Sequence, residues 1–313
     1  MADNSAGLDL SPAAPQEYKT FNNVVMSLKI IIIFVAIGGN ILTIVAICRF
    51  KSLRYPSNMM IAALAVSDIL TVTIYTPLVM IRTNKPVLFN TRASCLITIF
   101  IGQIVVVGNI VFLSLLSMER FYAVHFPYHY YEHVTMKGNF VWCVVSVVGV
   151  FLLNVPTVSG IDYWKTNGRC YSPILFPSWF TRFFISTVFT FQIIGLLSAF
   201  RVLVAELKFR RRERNFRVSD VEKQASLQST VMVLAYSVSV CLYLPHILYY
   251  LAVTFAKNEI NYVLFEILLV LDLCNPAINL FIYGFKSRKF REAYKSILRC
   301  KGLQVEPLTT TEG

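Results

Sequence analysis

The chain has 313 residues, of which 56% are hydrophobic and only 15% are charged, whereas a soluble domain has about 45–50% apolar and about 25% charged residues. This composition excludes an ordinary soluble protein, because a core of this size could not hide so much apolar surface. The net charge of +12 does not indicate nucleic-acid binding, since the basic residues lie in short segments between apolar runs, as in loops that face anionic lipid headgroups.

The chain contains seven apolar runs, each long enough to cross a hydrocarbon core of roughly 30 Å. We predict seven membrane-spanning helices, named span one to span seven in chain order. They cover residues 24–50, 58–81, 92–126, 140–160, 179–206, 223–255 and 260–285. The predicted fold class is therefore an all-α membrane protein, a seven-transmembrane helix bundle with a short amphipathic eighth helix.

The basic residues are concentrated on one side of the predicted bundle, which we call the inner side. The segments RFKSLR, KFRRRERNFR and KSRKFREAYKSILRCK follow spans one, five and seven, so alternating topology places them together. Because loops rich in Lys and Arg stay in the cytoplasm, we expect residues 1–21 to form an extracellular tail and residues 22–285 to form the bundle. We predict a disordered cytoplasmic tail at residues 301–313, and we expect the protein in the plasma membrane.

Residues 286–300, which follow span seven, have the pattern of an amphipathic helix. Phe290, Tyr294 and either Ile297 or Leu298 share one face, and basic residues occupy the other. Such a helix lies on the membrane surface in contact with lipids, and a solvated tail is the alternative.

Three of the seven cysteines lie at the edges of the apolar runs or beyond them. Cys95 is at the outer start of span three, Cys170 is in the loop between spans four and five, and Cys300 follows the basic stretch after span seven. Cys300 is a candidate for palmitoylation, which would attach the end of the surface helix to the membrane.

Five polar side chains lie near the middle of predicted spans, where such groups are costly unless they have a partner or a function. They are Asn40, Asp68, Asn109, Asn275 and Asn279. One such residue could be a packing contact worth about 1 kcal/mol between two helices. Five in four spans favour a single buried polar site around the Asp68 carboxylate, which could hold a small cation or a proton.

The apolar run of span three ends with an acid and a base, Glu119 and Arg120, and an aromatic segment follows. A pair of charges in this place is either an interfacial anchor or part of a switch. The residues alone leave both interpretations open.

Three of the four histidines, His125, His129 and His133, follow at intervals of four residues. On one continuous helix this spacing places the imidazoles on a common face, where they could bind a metal ion. Glu132 is the only acid beside them, so we interpret the three as solvated loop residues and expect no metal site.

These residues together resemble the rhodopsin-like, class A G-protein-coupled receptors over about residues 22–300. The matching motifs are GGN ending at Asn40, LAVSD ending at Asp68, Cys95, MERF, Trp142, Cys170, Pro245 and NLFIY ending at Tyr283. Each motif alone is weak evidence, but their order and their placement in separate segments make the resemblance specific.

The resemblance implies a receptor, not an enzyme, that binds an extracellular ligand inside the bundle and activates a heterotrimeric G protein. At rest Glu119 would hold Arg120, which would contact the G protein after span six moves outward. Phe121 and Tyr283 would belong to the same switch. Arrestin and receptor kinases are further partners that the resemblance implies.

The resemblance also implies a disulfide between Cys95 and Cys170, formed in an oxidising compartment. The polar residues around Asp68 would form a sodium-type pocket, so we expect no cofactor apart from a sodium ion near Asp68. Retinal is not expected, because Leu273 stands where opsins have the lysine that carries it.

The expected ligand pocket lies in the outer half of the bundle. Its lining residues are Gly102, Gln103, Val106, Val107, Tyr243, His246, Tyr250 and Asp272. This mostly aromatic and apolar lining favours a small apolar or amphiphilic ligand, such as a lipid mediator or an odorant, and a short peptide is the alternative. By the resemblance an amine is disfavoured, because Gly102 stands where amine receptors have an acid. Asp272 either meets a cationic ligand or pairs with a neighbouring side chain.

Two residues depart from the family pattern. In NLFIY, Leu280 replaces the proline of the NPxxY motif, and Tyr243 stands where tryptophan is usual. We therefore expect a loosely held resting state with measurable signalling in the absence of ligand.

A membrane transporter is the main alternative from another class. It would show an internal repeat, or broken mid-span helices with charged pairs, and we find neither pattern in the sequence. A membrane enzyme would need a nucleophile and a base, or metal ligands, near one another.

Overall fold

The protein is described by a computed structural model in which residues 16–84, 91–164, 175–215, 220–256 and 261–299 are described. Within these residues, seven helices are long and apolar enough to cross a membrane, as the sequence predicts. The fold is an all-α, seven-transmembrane bundle with a further short helix after the last span.

The helices extend beyond most of the predicted limits. The spans are Gln16–Arg49 (one), Pro56–Leu70 with Thr71–Tyr75 and Thr76–Asn84 (two), Arg92–His125 (three), Met136–Asn154 with Val155–Val158 (four), Ser178–Asn215 (five), Asp220–Ala256 (six) and Tyr262–Lys286 (seven). Span five continues nine residues past its predicted end at residue 206, to Asn215. Its last turns are rich in arginine and glutamate, which are good helix formers, so the helix outlasts its apolar run.

Span three lies at the centre of the bundle. It packs against spans two, four, five and six, while spans one and seven pack against each other and close the ring. The outer surface is apolar, and Phe34, Trp142, Leu197 and Phe200 are each more than half exposed on it. Lipid tails suit this surface, because a helix satisfies its backbone hydrogen bonds internally and leaves only side chains to meet the hydrocarbon.

Span two contains a π turn that the sequence does not predict. Thr71–Tyr75 forms this turn between two α-helical segments, immediately before Pro77. A proline has no N–H to contribute to the helix, and the Thr76 hydroxyl donates to the Thr71 carbonyl oxygen at 2.9 Å. Such π turns are rare in proteins, and those that occur are often located at functional sites.

Spans one and seven approach each other closely at Gly39. A Cβ atom at Gly39 would lie 2.7 Å from Cβ of Leu280, so this contact requires a glycine. Leu280 is the residue that replaces the proline of the family motif. Beside it, the Asn40 amide donates to the carbonyl oxygens of Ala36 and Pro276, at 2.9 Å each, and ties the two spans together.

The helix after span seven, Arg288–Leu298, is called the surface helix. Phe290 and Tyr294 are buried against the bundle, and Ile297 packs beside them. Leu298 is 72% exposed, so Ile297 rather than Leu298 completes the apolar face. The eighth helix is thus confirmed, and its buried face is defined.

Candidate functional site

Four of the five polar residues expected at mid-bundle meet there. Asn279 Nδ2 donates to Asp68 Oδ2 at 2.8 Å. The Tyr243 hydroxyl accepts from Asn109 Nδ2 at 3.3 Å and from Asn275 Nδ2 at 3.1 Å. These five residues, which we call the polar cluster, come from spans two, three, six and seven. The cluster therefore joins four helices at one depth of the bundle.

Asn40, which the sequence also assigns to this site, lies beside the polar cluster rather than within it. Both of its amide N–H groups are used by the carbonyl oxygens of Ala36 and Pro276. Its assignment to the cluster is therefore corrected: Asn40 connects spans one and seven.

The polar cluster has more acceptors than donors. Among the described residues, its buried oxygens without a hydrogen-bond partner are Asp68 Oδ1, Asn109 Oδ1, Asn275 Oδ1 and Asn279 Oδ1. Leaving a buried acceptor unsatisfied is costly, and carboxylate and amide oxygens are the ligands that hard cations prefer. These oxygen ligands are therefore suitable for a small cation.

The Glu119–Arg120 pair is buried, with the two residues 8% and 5% exposed. Arg120 donates through Nε to Glu119 Oε2 at 2.6 Å and through Nη2 to Glu119 Oε1 at 2.5 Å. An interfacial anchor would keep its charges in water, so the pair is a buried ionic contact.

Two further residues complete this contact, and the sequence analysis missed both. Ser57, at the start of span two, donates to Glu119 Oε1 at 2.9 Å and accepts from Arg120. Tyr130 lies on a short helix after span three, Pro127–His133, which we call the loop helix. Its hydroxyl donates to Glu119 and accepts from Arg120 Nη2 at 3.0 Å.

The Tyr130 hydroxyl stays protonated at neutral pH. Burial, and after it the Glu119 carboxylate, raise the pKa of Tyr130 to about 12. The phenol is therefore available as a donor to Glu119. We call Ser57, Glu119, Arg120 and Tyr130 the arginine network.

The other two residues assigned to the switch lie outside the arginine network. Phe121 is half-buried and stacks on His125, with ring centroids 4.4 Å apart. Tyr283 is buried and stacks on Phe290 of the surface helix, with centroids 5.6 Å apart. Neither residue takes part in the hydrogen bonds that Arg120 makes with Ser57, Glu119 and Tyr130.

A buried acid on span five joins spans five and six at their inner ends. Glu206 is 5% exposed and accepts from Thr230 at 3.3 Å and from Ser226. These hydrogen bonds join an acid of span five to two hydroxyl groups of span six.

In the outer half of the bundle, Asp272 pairs with a neighbour. Its Oδ2 contacts Nδ1 of His246, as one of the two alternatives from the sequence predicts, and its Oδ1 is buried without a hydrogen-bond partner. The ring of Phe265 meets the His246 ring edge-on, with centroids 5.6 Å apart.

The remaining residues of the expected pocket are divided between different contacts. Gln103 Oε1 accepts from the Thr157 hydroxyl at 2.7 Å, and Val106 packs among apolar side chains of spans three, four and five. Tyr243 lies deeper, in the polar cluster. The side chain of Tyr250 lies outside the described residues.

Gly102 is covered by the ring of Tyr75, which ends the π turn of span two. A Cβ atom at Gly102 would lie 2.5 Å from Tyr75 Cε2. The Tyr75 ring thus fills the space beside Gly102 that a side chain would otherwise occupy. The sequence does not predict this contact, because the π turn sets the position of Tyr75.

Replacing Gly102 with alanine is expected to destabilise the bundle by about 1–3 kcal/mol, because overpacking forces the ring to move. The measurement is the thermal unfolding temperature of the purified protein. Gly149→Ala is the matched control, since a Cβ atom there would meet nothing within 4 Å. Equal unfolding temperatures for the two variants would contradict the close contact.

A buried ion pair links spans one and seven in the outer half of the bundle. Lys29 Nζ lies 2.5 Å from Glu266 Oε2, and the two side chains are 5% and 2% exposed. The sequence analysis did not identify this pair. The signal was present, because a lysine in SLKIIII and a glutamate in LFEILLV interrupt apolar runs, and such residues need a partner.

The cysteine predictions are tested only in part. Cys95 is disulfide-bonded and buried. Cys170 and Cys300 lie outside the described residues, so the Cys95–Cys170 pairing and the palmitoylation of Cys300 stay predictions.

Comparison with known proteins identifies similarity along most of the chain. Residues 39–283 match the family model described as 7 transmembrane receptor (rhodopsin family). Trace amine-associated receptor 2 of Mus musculus is 27% identical over 289 residues, covering 87% of this chain and 84% of that receptor. Growth hormone secretagogue receptor type 1 of Homo sapiens is 27% identical over 301 residues, covering 88% and 81%. Pineal opsin of Petromyzon marinus is 25% identical over 290 residues, covering 89% and 64%.

Proposed function

Since this chain belongs to the rhodopsin family of seven-transmembrane receptors, and is therefore a ligand-binding signalling receptor and not an enzyme, we propose that it lies in the plasma membrane and activates a heterotrimeric G protein. The N-terminus would face the outside and the C-terminus would face the cytoplasm. The reason is that the basic loops, which stay in the cytoplasm, lie on the same side of the membrane as the C-terminus.

The observation that carries this proposal is the arginine network at the inner end of span three. Arg120 is buried and held by groups from spans two and three and from the loop helix. A guanidinium in this position is released only if several charge-assisted hydrogen bonds break together. Movement of the surrounding helices would expose it to a partner on the inner side, which is how we propose that the receptor contacts the G protein.

The ligand that we propose is small and apolar or amphiphilic. The three relatives have names that refer to trace amines, to an opsin and to a growth hormone secretagogue, so similarity alone does not select a ligand class. The residues favour the apolar class: Gly102 supplies no acid, and Asp272 is already paired with His246. A short peptide is the second ligand candidate.

The proposal is tested with the purified receptor in lipid nanodiscs, mixed with purified G proteins of each major class. We expect guanine-nucleotide exchange above that of empty nanodiscs with at least one class, and a further increase with lipid mediators or odorants from a screen. A folded receptor that accelerates exchange on none of them, with any compound, would contradict the proposal.

We also infer that the polar cluster binds sodium. One oxygen of the buried Asp68 carboxylate and three amide oxygens, from spans two, three and seven, have no hydrogen-bond partner, and together they are suitable ligands for a hard cation. Asp68 would supply the charge and Asn279 would hold its carboxylate in place.

Sodium is therefore expected to raise the thermal unfolding temperature of the wild-type receptor, with potassium as the comparison salt. Binding to the folded state alone stabilises by about 2.7 kcal/mol when the ion is at about 100 times its Kd. Asp68→Asn should abolish the difference between the salts, because it removes the charge and keeps the shape. Glu292→Gln, which changes an exposed acid of the surface helix, is the control. A sodium effect that persists in Asp68→Asn would contradict the assignment.

A further inference from the structure

The loop helix presents three metal-binding side chains on its exposed side. His129, Glu132 and His133 are all exposed, and their ligand atoms lie within 4.8 Å of one another. The two imidazole rings are one helical turn apart, with centroids separated by 6.0 Å. The Glu132 carboxylate lies 3.8 Å from His133 Nδ1.

This set differs from the three histidines that the sequence suggested. Span three ends at His125 and a new helix begins at Pro127, so His125, His129 and His133 do not share one helical face. His125 instead stacks on Phe121. Glu132 is the third member of the group, so the candidate ligands are two imidazoles and one carboxylate.

We propose that His129, Glu132 and His133 form a binding site for a divalent transition-metal ion, with zinc as the expected occupant. Two imidazoles and a carboxylate are a common zinc ligand set, and a pair of histidines at positions i and i+4 of a helix can bind one ion together. Zinc bonds of about 2.1 Å require the ligand atoms to be closer than in this structure. Exposed side chains can make that adjustment by rotating about their own bonds.

The site lies on the same short helix as Tyr130. The loop helix has seven residues, and an isolated helix of that length has little stability of its own. Its buried residue, Tyr130, donates to Glu119 and accepts from Arg120. A metal ion that joins positions 129 and 133 would stabilise the turn that carries Tyr130, and would thereby hold the arginine network closed.

The test uses the full-length chain, purified without a histidine tag, and measures zinc binding by competition with a chromophoric chelator. The site variant is His129→Ala combined with His133→Ala, and Glu132→Gln is a milder second variant. His125→Ala is the control, because His125 is an exposed histidine outside the cluster. All four positions are exposed, so the variants should fold.

We expect wild type and His125→Ala to bind one zinc ion that the double variant binds at least about tenfold more weakly, a loss of the size seen when groups supporting a metal site are removed. Glu132→Gln should fall between them. Equal zinc binding by wild type and the double variant would overturn the site. Neither outcome depends on coupling to a G protein.

Hydrogen–deuterium exchange tests the link to the arginine network. Zinc should slow amide exchange in the 127–134 segment of the wild type and leave the double variant unchanged. Binding of zinc without slower exchange would overturn the proposal that the ion stabilises the loop helix.

Discussion

Replacing Lys29 with methionine is expected to lower the stability of the folded bundle by about 3–5 kcal/mol, the usual cost of removing one partner of a buried ion pair. The Glu266 carboxylate is 2% exposed and only 2.5 Å from the Lys29 ammonium. Without that cation it would remain inside the bundle as an uncompensated charge, or would have to take up a proton. Either way, the contact between spans one and seven would be weakened.

The matched comparison is the double variant Lys29→Met with Glu266→Met. Replacing both members of a buried pair with apolar residues is often neutral or stabilising, so the double variant should recover most of the loss. The measurement is thermal unfolding in nanodiscs of the wild type, both single variants and the double variant. A double variant that is as unstable as the sum of the singles would show that the two residues do not act as a pair.

Arg120→Ala is expected to reduce nucleotide exchange to the level of empty nanodiscs, a loss of about thirtyfold or more if its contact with the G protein is worth about 2 kcal/mol. Removing the cation of a buried pair costs about 3–5 kcal/mol, and the two hydroxyl donors that Glu119 retains, Ser57 and Tyr130, should offset part of this loss. The measurement is ligand-free exchange at matched receptor concentration. Arg182→Ala, an exposed arginine at the opposite end of the bundle, is the control and should keep wild-type exchange.

Ligand-free exchange by the wild type is itself an expected result. The groups bonded to Arg120 in the described part of the chain come from spans two and three and from the loop helix. Span six can therefore move without breaking an ion pair with Arg120 among those residues. Wild-type exchange that persists in Arg120→Ala would show that this arginine does not contact the G protein.

The spans and the polar cluster could be predicted because the membrane imposes local rules. A helix must be apolar over a fixed length to cross a hydrocarbon core, so run length alone located seven spans. A carboxylate such as Asp68 at mid-span needs partners, because burying it unpaired in the hydrocarbon core costs free energy. Its proximity to amides such as Asn279 could therefore be predicted. The end of span five at Asn215 could not be predicted in this way, because helix propensity rather than hydropathy extends it.

No such local rule identifies the residues that the sequence analysis missed. Ser57 and Tyr130 are 63 and 10 residues from Arg120 in the chain, and nothing in a serine after a proline, or in a tyrosine among other aromatics, indicates a buried partner. Glu206 lies at the predicted end of span five, and no local rule pairs it with Ser226 and Thr230 of span six.

By itself, the sequence determined that this chain spans a membrane seven times and that mid-span polar residues such as Asp68 need partners. These conclusions depend on the free energy of placing each residue in lipid, which is a property of the residue and its neighbours in the chain. Only the tertiary structure decided the pairs: Arg120 with Ser57 and Tyr130, and Lys29 with Glu266 across 237 residues. Partner choice depends on how helices pack and rotate against one another, and that arrangement is set by all the spans together.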